Sequence, residues 1–194
     1  MNWITEISSP DDLQHGLGPI WTATRIASPA FATFGPITLR ASECFSAQSL
    51  AWKTGVFDPI LLPAFRAALA HARRGEIREL ARIDHELGSK LPPSISEASL
   101  RAGRRLVIHG DLPGDRLLSK LEARIDRGET PGHLAVVFAA RCAAFSLPDR
   151  IAVGAYLFQE LCSGAPCTPV NDICRFVASC LEPLGESPGA LRAA

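Results

Sequence analysis

The chain has 194 residues, 47% of them apolar and 21% charged, a globular composition long enough to bury a substantial core. Twenty basic and twenty acidic residues cancel, which excludes the strongly basic balance of a nucleic-acid binder or of a protein held on an acidic membrane. Six cysteines occur without an Asn-x-Ser/Thr acceptor, and the start MNWITEISSPDD carries no basic-then-apolar signal peptide, so reduced thiols in the cytoplasm are expected.

Ser9-Pro10-Asp11-Asp12 has the form of a helix start, but Gly16, Gly18 and Pro19 interrupt it. The first sustained helix is therefore expected from Ile20 to about Ala27, ended by Ser28-Pro29-Ala30. A second is expected from about Thr38 to Lys53, closed by Gly55; its apolar positions Leu39, Cys44, Phe45, Leu50 and Trp52 fit a helical period only loosely. Ile60, Leu61, Ala64, Phe65, Ala68 and Leu69 make a good amphipathic stripe, with regular helix beginning near Pro63 and stopping at Arg73-Arg74-Gly75. From Glu76 to Leu87 the stripe is Ile77, Leu80, Ala81, Asp84 and Leu87, with Gly88 as the natural residue past the end. Leu91-Pro92-Pro93 reads as a rigid linker. Ser94 and Glu97 form a capping box that opens a helix to about His109, and Leu117, Leu118, Leu121 and Ile125 mark a shorter one ending at Gly128.

The stretch Gly132 to Leu161 organises the rest. From Leu134 to Phe145 only Arg141 is strongly polar, and a helix apolar nearly all round is a buried one. Ser146-Leu147-Pro148-Asp149 breaks it, and Ile151 to Leu161 is almost as apolar, so the pair reads as a helical hairpin. Each arm is nearer a dozen than the roughly 20 apolar residues a membrane span needs. A last helix opens at Thr168-Pro169 and carries Val170, Ile173, Val177, Cys180, Leu181 and Leu184. No stretch alternates as a strand would. The expectation is all-α: a single-domain bundle over 1–194 of about eight or nine helices around a buried helical hairpin, with 1–18 and 186–194 poorly ordered.

Cys162, Cys167, Cys174 and Cys180 crowd the C-terminal quarter. Zinc sites bring thiolates in close pairs, because they must meet one tetrahedral ion about 2.3 Å away. Cys162 and Cys167 straddle a turn and could qualify. Cys174 and Cys180 are six apart on a helix, so they point about 240° around it. The simpler reading is Cys as a small buried hydrophobe; a metal-binding or redox role for the four is the alternative. His15, His71, His85, His109 and His133 include no i, i+4 ligand pair. Cys142 lies mid-helix in an apolar segment, where a thiol loses reactivity. Arg101, Arg104 and Arg105 share a helix face, with Glu97 one turn before Arg101: a solvated face, or a docking patch for an acidic partner. No phosphate loop, dinucleotide fingerprint or nucleophile elbow occurs. The residues themselves describe a catalytically empty helical chain.

Several segments share an order with a known family. These are Ala27-Ser28-Pro29-Ala30, Phe34-Gly35, Phe45 to Leu50 (FSAQSL), Glu97 to Leu106 (EASLRAGRRL), Gly132 to Phe138 (GHLAVVF) and Ala155 to Phe158 (AYLF). Together they resemble the urease accessory protein F family, helical scaffolds in the nickel loading of urease. Ser49-Leu50-Ala51 stands where that family has Gly-Leu-Glu, and Cys162 to Pro166 replaces its Asn-x-Val-Ser-Ala. The resemblance implies a non-enzymatic chaperone or scaffold without metal or cofactor of its own. It implies a cytoplasmic homodimer that bridges a second accessory protein and a nickel-carrying GTPase for nickel insertion into urease, with neither nucleic acid nor membrane as partner. By position it points to Ser46, Gln48, Arg101, Gly103, Arg104, His133, Tyr156 and Glu160 as partner-binding residues.

Overall fold

The computed structural model describes Thr24 and residues 45–108, 115–164 and 170–181. All regular structure among these residues is helical: α1 (Phe45–Trp52), a wide π-helical segment (Lys53–Leu61), α2 (Leu62–Arg73), α3 (Ile77–Lys90), α4 (Pro93–Ile108), α5 (Arg116–Asp126), α6 (Leu134–Ala144), α7 (Asp149–Gly164) and α8 (Val170–Leu181). The all-α expectation holds. The helix expected at 20–27 lies outside the described residues apart from Thr24, as do the segments 1–18 and 186–194.

The count differs from eight or nine. α1, the π segment and α2 run on without a break, so the described residues form seven uninterrupted helical stretches. Gly55 does not close a helix. The reason is the spacing of the residues that must face inward: Trp52, Phe57, Leu61 and Phe65 are all buried, and the first step between them is five residues. An α-helix cannot align that step, since residues five apart diverge by about 140° around its axis. A wider coil can. The Leu62 N–H donates to the Phe57 carbonyl, and Lys53 Nζ meets Asp58 Oδ2 at 2.6 Å, each pair five residues apart. Pro59 sits inside the segment, where it contributes no N–H donor.

Two other boundaries move. α3 runs past Gly88 to Lys90, so Gly88 is an interior residue and not the helix stop. α4 opens on Pro93, with Ser96 N–H donating to the Pro92 carbonyl; the proline takes the first helical position and Ser94 is no cap. α5 has a cap the sequence pattern did not reveal: Asp115 Oδ1 accepts from Leu117 N–H at 2.9 Å and Leu118 N–H at 2.8 Å.

The core is centred on α6, in which the nine residues Leu134–Cys142 are all buried. Arg141, the one strongly polar residue in that run, is itself buried. The two arms of the expected hairpin are present, but they touch sparsely. α6 packs chiefly against α2 and α4, whereas α7 packs chiefly against α8. Tyr156 of α7 joins the two groups. Its ring stacks on Phe65 of α2 at 4.7 Å between centroids and 3° between planes, and approaches Phe138 of α6 at 5.7 Å and Phe57 of the π segment at 6.0 Å. Rings buried in this way contribute about 1.5–3 kcal/mol each through removal from water. The turn between α6 and α7 is clamped from α2, since Arg73 donates to the Leu147 carbonyl at 2.6 Å and to Asp149 Oδ1 at 2.5 Å.

Candidate docking face and the anchor beneath it

α4 has two faces with different duties. Inward, it makes backbone contact with the start of α6. A Cβ placed on Gly103 would lie 2.0 Å from the Gly132 carbonyl oxygen and 3.0 Å from the Leu134 nitrogen. Only a hydrogen fits there. One turn away, Ser99 Oγ accepts from Leu134 N–H at 3.1 Å, supplying one of the acceptors that the open end of a helix needs. Replacing Gly103 with alanine is expected to destabilise the fold by about 3 kcal/mol, the upper part of the usual cost of overpacking. Chemical unfolding would measure it, and an unchanged midpoint would mean that α4 and α6 do not approach so closely.

The rest of that helix end is held by Asp84 of α3, which is fully buried. Its Oδ2 accepts from Thr130 Oγ1 at 2.6 Å and from Gly132 N–H at 2.6 Å, and its Oδ1 accepts from His133 N–H at 2.9 Å. A carboxylate at a helix N-terminus also gains from the helix dipole. Gly132 adopts φ +86°, a left-handed conformation that suits glycine, and Ile125 of α5 packs beneath it. The imidazole of His133 is buried, and its Nδ1 has no hydrogen-bond partner. A Cβ on Gly88 would come within 3.0 Å of its Nε2, so the glycine inside α3 makes room for the ring. Burial holds the His133 pKa below the ordinary histidine value; Asp84 opposes that shift and His85 adds to it. His85 in turn donates from Nε2 to the Glu129 carbonyl at 3.2 Å.

Outward, α4 presents exposed Arg101, Arg104 and Arg105. Arg101 pairs with Glu97 at 2.5 Å. Arg104 makes no ion pair among the described residues and borders a shallow cleft of about 230 Å³ with Val107, Ile125 and Asp126.

The positions indicated by resemblance thus divide by burial. Arg101 and Arg104 are exposed and Gln48 on α1 is half-buried, while Ser46 lies on α1 with its side chain outside the described residues. Gly103, His133, Tyr156 and Glu160 are buried within the chain. They lie in the interior behind that surface. The structure brings Gly103 and His133 together at the start of α6, and Tyr156 and Glu160 together on α7. Both Glu160 oxygens are buried beside the Tyr156 hydroxyl, one helical turn away, without a well-directed hydrogen bond to either group. Desolvation pushes the Glu160 carboxyl up to about 8, a rise that Tyr156 only moderates.

The sulfur chemistry is muted where it is described. Burial pushes the Cys142 thiol far up, and that of half-buried Cys180 up as well, which opposes the thiolate that a nucleophile or metal ligand requires. Cys174 is buried on α8, while Cys167 and the Cys162 side chain lie outside the described residues. Among the described residues no group of three His, Cys, Asp or Glu side chains is arranged to hold a metal ion, and no helix is long and apolar enough to cross a membrane.

Neither the curated proteins nor the solved structures give a match to the chain. A family model does: UreF matches residues 43–163. That interval runs from α1 to the end of α7 and contains α4, the buried anchor and the Tyr156–Glu160 pair. The chain therefore belongs to the UreF family, urease accessory protein F, and its role is an accessory one to urease.

Proposed function

We propose that the chain is a non-enzymatic scaffold that bridges a second urease accessory protein and a nickel-carrying GTPase, in the cytoplasm and as a homodimer, while nickel is inserted into urease. Nickel is cargo in this reading. The family match over 43–163 carries it. The two-faced geometry of α4 supports it: a helix locked by backbone contact on one side offers exposed arginines on the other. Its work is differential binding, in which the scaffold holds one conformation of its partners better than another. A face with little freedom left to lose keeps the ordering cost of such binding low. Arg101 and Arg104 are the contacting side chains in this proposal, with Ser46 and Gln48 on α1 as secondary positions. Gly103, His133, Tyr156 and Glu160 act from the interior by holding the helices in place, and 1–194 works as a single unit.

The test is recovery of urease accessory proteins with the tagged chain, compared with an Arg101→Glu/Arg104→Glu variant. Both positions are exposed, so stability should stay within about 0.5 kcal/mol. Affinity should fall roughly ten- to a hundredfold, the effect of about 1.4–2.8 kcal/mol. A variant that captures the same proteins equally well would remove α4 as the docking face; absence of any complex with the unmodified chain would remove the scaffold reading.

A further inference from the structure

We infer that the docking face is proton-gated: protonation of the buried His133 imidazole releases the start of α6, and with it α4, so that partner binding weakens in acid. The inference rests on the α4 docking reading and adds its regulation.

Four features of the geometry lead to it. First, His133 is the cap residue of α6. A positive charge there meets the positive end of the helix dipole, the unfavourable orientation. Second, the ring is buried with Nδ1 unpartnered, under a glycine whose Cβ would crowd Nε2 at 3.0 Å. A second ring proton has no acceptor waiting and little room in which to find one. Third, the titratable groups acting on it are Asp84 and His85, both from α3. Asp84 already uses Oδ2 for the Thr130 hydroxyl and the Gly132 N–H, and Oδ1 for the His133 N–H. α4 contributes Ser99 and Gly103, and α5 contributes Ile125, all uncharged. An imidazolium must therefore draw Asp84 away from the turn or move out towards water, and either movement undoes the 130–134 turn. Fourth, that turn is the surface on which α4 rests, since the Gly132 carbonyl lies against Gly103 and Leu134 N–H donates to Ser99. The exposed Arg101 and Arg104 flank Gly103 on the same helix, so the two faces of α4 are mechanically one.

The sign follows from the direction of the shift. A histidine whose folded pKa is held down binds its proton more readily in the unanchored state, so the anchor weakens as pH falls through the ordinary histidine range towards the depressed value.

Two measurements on the full chain test this. In a pH titration from 8 to 5 followed by NMR, the amide signals of Gly103, Gly132 and Leu134 should move together, tracking the His133 ring proton at a midpoint below that of an ordinary histidine. His133→Gln cannot take the proton, so those amides should stay still in it; the ring titration of the unmodified chain stands independently should that variant fold poorly. In parallel, the accessory protein recovered with the tagged chain at pH 7.5 should bind about tenfold more weakly at pH 5.5, and His133→Gln should abolish the difference. Amides that ignore the His133 midpoint, or equal acid weakening in His133→Gln, would overturn the gate. No complex at either pH, with the amide titration intact, would instead overturn the scaffold reading and leave the coupling of His133 to α4 standing.

Discussion

Asp84→Ala is expected to lower the unfolding free energy by about 3–5 kcal/mol, because three buried donors lose their shared acceptor. The carboxylate serves three donors, Thr130 Oγ1, Gly132 N–H and His133 N–H, at 2.6, 2.6 and 2.9 Å. Alanine strands all three where they are buried, and each orphaned group costs about 1–3 kcal/mol of desolvation unless water reaches it. Asp84→Asn keeps the shape and one acceptor, so it should recover part of the loss. Denaturant unfolding of the two variants against the parent would read both effects. A loss below about 1 kcal/mol in Asp84→Ala would show that the start of α6 is held by packing rather than by this cap, because a single ordinary hydrogen bond contributes about that much.

The second large effect is a dependence on pH. The Glu160 carboxyl is held at about 8, against an ordinary value of 4.5, because burial penalises its charge. A carboxyl raised in the folded state keeps its proton there after the unfolded chain has released its own. Stability from this group is therefore complete below about pH 4.5, declines as pH rises and levels off above about 8, at a total cost on the order of 5 kcal/mol for a shift of this size. Glu160→Gln is neutral at every pH. The variant and the parent should unfold at similar denaturant concentrations near pH 4.5 and diverge steadily towards pH 8, with the variant the more stable. Curves that stay parallel across that range would show that Glu160 is ionised inside the fold, held by a compensating cation. Tyr156→Phe makes a useful companion, since the hydroxyl only moderates the shift and its removal should widen the divergence.

Much of the fold could be read in the sequence because burial leaves a compositional trace. The run from Leu134 to Cys142 is apolar enough that a helix there has no outward side, and the structure buries every residue of it. The start of α2 near Pro63 and the positions of α5, α6 and α7 follow from periodicity in the same way. The π segment was not read in advance: Gly55 and Pro59 look like a break between two helices, and only the inward positions Trp52, Phe57 and Leu61 show the coil running through. The candidate site was less legible, because it joins residues distant in the chain. Asp84 and Gly132 are 48 positions apart. A signal was nonetheless present, in that Asp84 falls on the stripe with Leu80 and Leu87, and a carboxylate on a buried stripe has to have buried donors. Ser99, between Ala98 and Ala102, sends the same message more faintly. Glu160 differs again. The resemblance placed it among the partner contacts, and the structure buries it fully.

The wide coil between α1 and α2 has a consequence for how this chain tolerates change in length. An α-helix is unforgiving of a lost residue, because everything beyond the deletion rotates by about 100° and carries its apolar stripe away from the core. The stretch Lys53–Leu61 holds more residues per turn than the flanking helices need. It is a reserve of slack and a phase adjuster between Trp52 on one side and Phe65 on the other. Deletion there can be absorbed by narrowing the coil towards α pitch. The same deletion in α2 would swing Phe65 away from Tyr156. Length variation among related chains should therefore collect at this one point of an otherwise rigid rod, with the inward faces on either side left undisturbed.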